Sequence, residues 1–282
     1  MKRSIIFFLI ITLSISALHS QVKQDHSYCN RDFDIAKELF FEKQYSVSYD
    51  YFQRVLQTPQ LEADVKAEAE YYIAANSYYL KRSDALDVLE TYLEKYPYTP
   101  MRSKVYYMVG RLYYDKKNYS ETLKKYGQVR QKQLDKSDVE DYLFSMGYSQ
   151  LMLKQYPAAS KTFKSIKEYG HPYTKDAEYY YAYSEFCQKN YKPSLESFIN
   201  IDESSKYYEA AQFHSLQIYD QIGYRSEAVK LGKELLSKYP KSKYKTEAYR
   251  ILGENSYHQQ NMWELSIHHI LWIYLYQILM YQ

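Results

Sequence analysis

Residues 103–129 read SKVYYMVGRLYYDKKNYSETLKKYGQV. Val105, Met108, Val109, Leu112 and Tyr113 recur at three- and four-residue spacing, which gathers them on one face of a helix. Lys116-Lys117-Asn118 interrupts the pattern, and Leu123, Tyr126 and Val129 resume it. The stretch therefore reads as helix A, a tight turn and helix B. Gly110 in the first helix and Thr122 in the second are small residues twelve positions apart. Glycine inside a helix costs about 1 kcal/mol relative to alanine. Close packing on a neighbouring helix is the physical reason to find it there.

Working outward, the position of Thr122 recurs as Ser48, Ala85, Thr122, Ala159, Ser194, Ala228 and Ser266, at spacings of 37, 37, 37, 35, 34 and 38. Four residues after the first five stand Phe52, Leu89, Tyr126, Phe163 and Phe198. Such a period marks helical hairpins stacked on one another. Twelve residues before the B-helix position lie Ala36, Gly110, Gly147 and Ala182. The expected helix-packing residues are thus Ala36, Ser48, Ala85, Gly110, Thr122, Gly147, Ala159, Ala182, Ser194 and Ala228. Ile73, Leu216 and Gly253 break this register, which predicts that in repeats two, six and seven helix A or the turn after it differs by a residue. Ser120, with Ser46, Ser83 and Ser226 in the same register, is expected to cap helix B through its hydroxyl. Pro157 and Pro193 fall at B-helix starts, where proline is tolerated. Pro59, Pro97, Pro100, Pro172 and Pro240 fall in the loops between hairpins.

The pattern resembles tetratricopeptide repeats, with small residues at two places, Tyr late in helix A, an aromatic in helix B and Pro in the closing loop. Gly110, Tyr113, Thr122 and Tyr126 carry the match. Tyr239-Pro240-Lys241-Ser242, followed by Glu247-Ala248-Tyr249 and Leu252-Gly253, is similar to the repeats of bacterial envelope proteins of the BamD and CpoB (YbgF) type, and Tyr96-Pro97 echoes it. The resemblance covers roughly residues 31–265. Departures are Leu134 and His171 at the Pro position, and Gln150 and Glu185 at the Tyr position. The implied fold is all-α, a right-handed solenoid of antiparallel helix pairs with about six and a half repeats.

Residues 1–20 read as a secretory signal peptide. Lys2 and Arg3 precede an apolar run from Ile5 to Ile15, and Ala17-Leu18-His19-Ser20 offers a cleavage site. The run is short for a membrane span. The expected organisation is a signal at 1–20, a spacer at 21–30, the repeats at 31–265 and an apolar tail at 266–282. Export would place the protein in the periplasm or at the outer-membrane periphery of a bacterium. From Ser266 to Gln282 there is no charged side chain. Helix B of repeat seven should occupy 264–277. The missing polar face leaves three readings: a docking helix, a membrane-associated tail, or a truncated or frame-altered end.

Formal net charge is +3, and beyond residue 20 basic and acidic side chains stand at 35 and 34. That balance gives no electrostatic case for nucleic acid or for an acidic membrane surface. Cys29 and Cys187 are too few for a disulfide scaffold and read as free thiols. His268-His269 are helix neighbours about 100° apart and make no chelating pair, and His258 lies ten residues away. Asp138, Glu140 and Asp141 sit where acids complement a helix dipole. No catalytic or metal residues and no cofactor are expected. The 38 tyrosines serve packing, or alternatively platforms for a glycan.

The function expected is a non-enzymatic scaffold that takes a peptide or helix of an envelope protein in a concave groove lined by A helices. Candidate groove residues, opposite the small positions, are Tyr71, Asn76, Tyr107, Arg111, Tyr114, Tyr148, Tyr181 and Glu185. Glycan or peptidoglycan binding through a Tyr-rich surface is the alternative, and peripheral membrane association is left open.

Overall fold

The computed structural model describes residues 30–167 and 173–259, and among these every regular element is helical. The contacts divide the chain at Asp135/Lys136 into two compact units, at the loop after the third hairpin. The first unit holds α1 (residues 30–41), α2 (Tyr45–Leu56), α3 (Ala63–Tyr79), α4 (Ala85–Lys95), α5 (Arg102–Asp115) and α6 (Tyr119–Tyr126), with a 3-10 turn at Gln131–Gln133. The second holds α7 (Lys136–Met152), α8 (Tyr156–Lys167), α9 (Thr174–Cys187), α10 (Tyr191–Ile199), α11 (Tyr208–Gln221), α12 (Arg225–Lys238) and α13 (residues 245–259). Odd-numbered helices are A helices and even-numbered ones are B helices. Residues 1–29, 168–172 and 260–282 lie outside the described residues, and with them the signal, Cys29, His171, His268, His269 and the tail.

The turn between A and B is the same device six times. Lys43, Lys81, Lys117, Lys154, Lys189 and Gly223 all have positive φ, between 54° and 78°. After α5 the Lys117 amide donates to the Tyr114 carbonyl at 2.8 Å and the Asn118 amide to Tyr113 at 2.9 Å. This left-handed closure satisfies carbonyls that the end of a helix leaves without partners. Equivalent pairs follow α1, α3, α7, α9 and α11. The turn also fixes where helix B begins, which corrects the serine caps. Asn118, not Ser120, is the N-cap of α6, and its side chain accepts from the Glu121 amide. Gln44 and Tyr224 hold the corresponding place, directly after the left-handed residue, and in repeat two the cap is Asp84, three residues after Lys81, so Ser46 and Ser226 fall inside the first turn and Ser83 ahead of the cap. Pro157 and Pro193 lie in the first turns of α8 and α10.

Counting back seven from each left-handed residue gives Ala36, Ala74, Gly110, Gly147, Ala182 and Leu216. Repeat two therefore keeps its small residue as Ala74, and its turn is one residue shorter before Ala85. Repeat six is a different case, because no residue is gained or lost there. Leu216 stands on helix A and Gly232 on helix B, where the other repeats have a small A residue and a large B residue. The Leu216 Cδ1 lies 3.7 Å from where a Cβ on Gly232 would be. The volume has moved from one helix to the other while the interface stays filled, as close packing requires. The turn and B helix of repeat seven lie outside the described residues.

The small positions allow direct helix contact. Ser48 Oγ donates to the Ala36 carbonyl at 2.9 Å, and Ser194 Oγ to the Ala182 carbonyl at 2.8 Å. All ten packing residues named from the sequence are buried. Phe52, Tyr126, Phe163 and Phe198 are the largest fully buried side chains, each contributing about 2–3 kcal/mol by burial. In the first unit neighbouring hairpins are also tied by Lys37–Glu68 at 2.8 Å and Lys125–Glu90 at 2.5 Å, and Lys95–Glu70 at 2.6 Å joins the two helices of the second hairpin. At its end Ser103 Oγ donates to Gln133 and Lys104 pairs with Asp135, holding the 3-10 turn to the start of α5. Leu134, at the position the repeat gives to Pro, is buried.

Candidate functional site

The second unit is built on a ladder of stacked rings. Phe144 on α7 stacks on Tyr173 at 4.7 Å, Tyr179 on α9 on Tyr207 at 4.3 Å, and Phe213 on α11 on Tyr244 at 4.2 Å. Tyr173 and Tyr207 are the N-caps of α9 and α11, and Tyr244 directly precedes α13. Each A helix therefore offers a ring on which the next A helix is seated. Glu140 accepts from the Tyr173 amide at 2.8 Å and Asp141 from its hydroxyl at 3.3 Å. Those acids clamp the next hairpin rather than merely complementing a dipole. The tyrosines at 173, 207 and 244 recur with the repeat period, and that spacing was available in the sequence as a signal.

Across α9, α11 and α13 the A helices form an open cleft of about 290 Å³. Phe186 and Ile251 supply apolar wall, and Gln217, Asp220, Gln221, Glu247 and Arg250 supply polar groups. Arg250 is held by Glu247 and Glu254 at 2.6 Å each. The hydrogen bond and charge of Arg250 keep the Glu247 carboxyl below its usual range. Asn255 donates to Asp220 at 2.7 Å, so the cleft presents charges fixed in place. Cys187 lines one wall, and burial pushes its thiol up, away from the reactive thiolate. It is a free thiol among the described residues.

Of the eight residues chosen from the sequence, four go inside. Tyr71 and Tyr107 are buried, Tyr107 stacking on Tyr126. Asn76 is 0% exposed and donates to Ser48 Oγ at 3.0 Å. Glu185 is 9% exposed, bonded by Ser160 and, at 2.9 Å, by Asn190. At the other departure from the repeat pattern, Gln150 accepts from Thr162 at 2.8 Å. Where the tyrosine is missing, a side-chain bond to a B helix takes its place. Arg111, Tyr114, Tyr148 and Tyr181 are half-buried. Arg111 pairs with Asp115 at 3.2 Å and covers the Tyr114 ring, and Tyr148 meets Phe144 and Tyr180. The face opposite the small positions was mistaken for solvent, because a stacked A helix has neighbours on more than one side.

No protein-family model matches this chain, and no curated protein matches it. Among solved structures, the C-terminal part of a TPR repeat-containing protein from Cytophaga hutchinsonii aligns at 14% identity with a TM-score of 0.51. That alignment covers 79% of this chain and 87% of that chain. The chain has the tetratricopeptide-repeat fold. PilF of Pseudomonas aeruginosa aligns at 12% identity over 82% of this chain and 99% of that chain, with a TM-score of 0.47.

Within this repeat fold a histidine is enclosed among aromatic rings. His214 on α11 lies 5.1–5.5 Å from the ring centroids of Tyr183, Phe186, Phe198 and Phe213. Its Nδ1 meets Gln217 Oε1 at 2.9 Å. Burial lowers its pKa; the Gln217 bond opposes this and the Lys243 charge adds to it. An unfolded histidine gains its proton near pH 6.5, while the folded one stays neutral to lower pH. The unfolded state then binds more protons, so stability is fully present above about pH 6.5 and falls as pH falls below it. His214→Phe is expected to remove that part of the acid slope. Urea midpoints of both proteins at a series of pH values check it, and parallel curves would show that His214 does not titrate as described.

Proposed function

We propose that this chain is an exported, non-enzymatic scaffold that binds a peptide or helix of a cell-envelope protein along the A helices of its second unit. The observation that carries the reading is the cleft across α9, α11 and α13, which sets an apolar wall beside fixed polar groups. Backbone groups of an incoming segment would meet Gln217, Gln221 and Asp220, and Arg250 and Glu247 would select its charges. Export rests on the charged and apolar pattern of residues 1–20. The glycan alternative needs free ring faces; Phe52–Tyr72 and Tyr179–Tyr207 spend theirs on each other, which leaves it exposed rings such as Tyr98, Tyr224, Tyr249 and Tyr257.

A photo-crosslinking side chain placed at Gln217 should yield a discrete adduct in a bacterial envelope extract. The same group at Lys233, exposed on helix B, should not, and Arg250→Ala should abolish the Gln217 adduct. Equal adducts from Gln217 and Lys233, or adducts indifferent to Arg250→Ala, would refute the cleft as the binding surface.

A further inference from the structure

Lysine occupies the left-handed turn position in five of six hairpins, at φ between 54° and 63°. Glycine would take that conformation without strain. A cation there complements the end of helix A, but many less strained positions in the last turn would do so equally. Lys43, Lys81, Lys117, Lys154 and Lys189 are all exposed, and none makes an ion pair or covers a ring among the described residues. Elsewhere in the second unit Lys206 pairs with Asp176 and Lys238 with Glu203.

In the second unit Lys154 shares its turn with Met152 and Leu153, and Arg225 shares one with Ile222 and Tyr224, while the Lys189 turn is polar throughout. The turns at 152–155, 188–190 and 221–225 contain Lys154, Lys189 and Arg225 and no acidic residue. Met152 is 44% exposed, Leu153 40%, Ile222 38% and Tyr224 55%. The A helices α7, α9 and α11 run in one direction. Tyr173 at the start of α9 is bonded by Glu140 and Asp141 in the first half of α7, and Tyr207 at the start of α11 stacks on Tyr179 in the first half of α9. Their opposite ends, with these turns, therefore share one edge.

We propose that this edge of the second unit lies on the surface of an anionic lipid bilayer. Met152, Leu153, Ile222 and Tyr224 enter the boundary between headgroups and acyl chains, while Lys154, Lys189 and Arg225 extend to the phosphates. The pairing of a cation with exposed apolar side chains at 152–154 and 222–225 selects a lipid interface, since a soluble polyanion would use the charges and leave the apolar residues in water. No helix among the described residues is long and apolar enough to cross a membrane, so the edge rests on the surface. Lys189 and Gln221 also border the cleft, but the vesicle test needs no cleft partner.

The test is co-sedimentation of the full chain with vesicles of phosphatidylcholine alone or mixed with phosphatidylglycerol. Binding is expected only to the mixed vesicles. The variant Lys154→Gly/Lys189→Gly relieves backbone strain, so its urea midpoint should equal or exceed that of the parent while vesicle association falls roughly tenfold or more. Met152→Ser/Leu153→Ser/Ile222→Ser should lose binding to a similar degree, with heparin as the soluble polyanion for comparison. The proposal is overturned if the parent ignores mixed vesicles, or if either variant binds them as the parent does. It is overturned equally if the lysine variant has a lowered midpoint, which would make those side chains structural. Heparin binding that survives in the apolar variant alongside full vesicle binding would identify a polyanion site instead.

Discussion

Gly110→Leu should destabilise the first unit by about 3 kcal/mol, the upper end of what overpacking costs. A Cβ at Gly110 would stand 2.3 Å from Cε1 and 2.4 Å from Cδ1 of Tyr126. The Tyr126 ring is itself 2% exposed and cannot swing aside without opening the hairpin. Gly147→Leu should cost less, about 2 kcal/mol, because the Phe163 ring lies 3.0 Å from the corresponding Cβ. Gly253→Leu is the control, since nothing lies within 4 Å of its Cβ. It should stay within about 1 kcal/mol of the parent, with helix propensity favouring the variant. Even Gly110→Ala should be destabilising, although alanine gains about 1 kcal/mol in a helix. Urea transitions followed by helicity measure all four. Midpoints for Gly110→Leu and Gly253→Leu that coincide would refute ring-on-glycine packing.

Raising the pH through 10 to 12 should unfold the protein cooperatively. Burial pushes the hydroxyls of Tyr72, Tyr183 and Tyr207 up to about 12. Tyr71, Tyr179 and Tyr180 are also raised by burial. Tyr207 donates to Tyr180 at 3.3 Å, a bond that raises Tyr180 further and partly opposes the rise of Tyr207. In the unfolded chain a tyrosine loses its proton near pH 10. Above that pH the unfolded state binds fewer protons than the folded one, so stability falls as pH rises, by up to about 1.4 kcal/mol per pH unit for each such group. Phenolate absorbance should therefore appear in two phases, the second coinciding with loss of helix. Titration of all the tyrosines as one class, with helicity intact at pH 12, would contradict the buried ladder.

The repeat was legible because its signals are local. Small and large residues at fixed spacing report a helix interface directly, and Gly110 with Tyr126 or Gly147 with Phe163 state the same contact in sequence and in space. Proline placement agreed for the six prolines among the described residues for the same reason, since it depends on one residue's φ and missing amide, and Pro172 lies outside them. The turn was less legible. Lysine at φ near 60° has no compositional mark, although its recurrence at 43, 81, 117, 154 and 189 was there to be counted. The serine caps failed because the left-handed residue fixes the start of helix B, and the hydroxyl two or three positions away has no say in it.

The sequence by itself determined the hairpin, its period and which residues lie between helices A and B, because those follow from side-chain size along a single helix pair. Only the tertiary structure decided which face of helix A is free. Asn76 and Glu185 read as polar and available, yet Asn76 donates to Ser48 and Glu185 receives Ser160 and Asn190, so both are closed in by neighbouring hairpins. The exchange of volume between Leu216 and Gly232 was hidden in the same way. Exposure is a property of several hairpins packed together, and a periodicity measured within one helix pair does not show which of its faces the next hairpin covers.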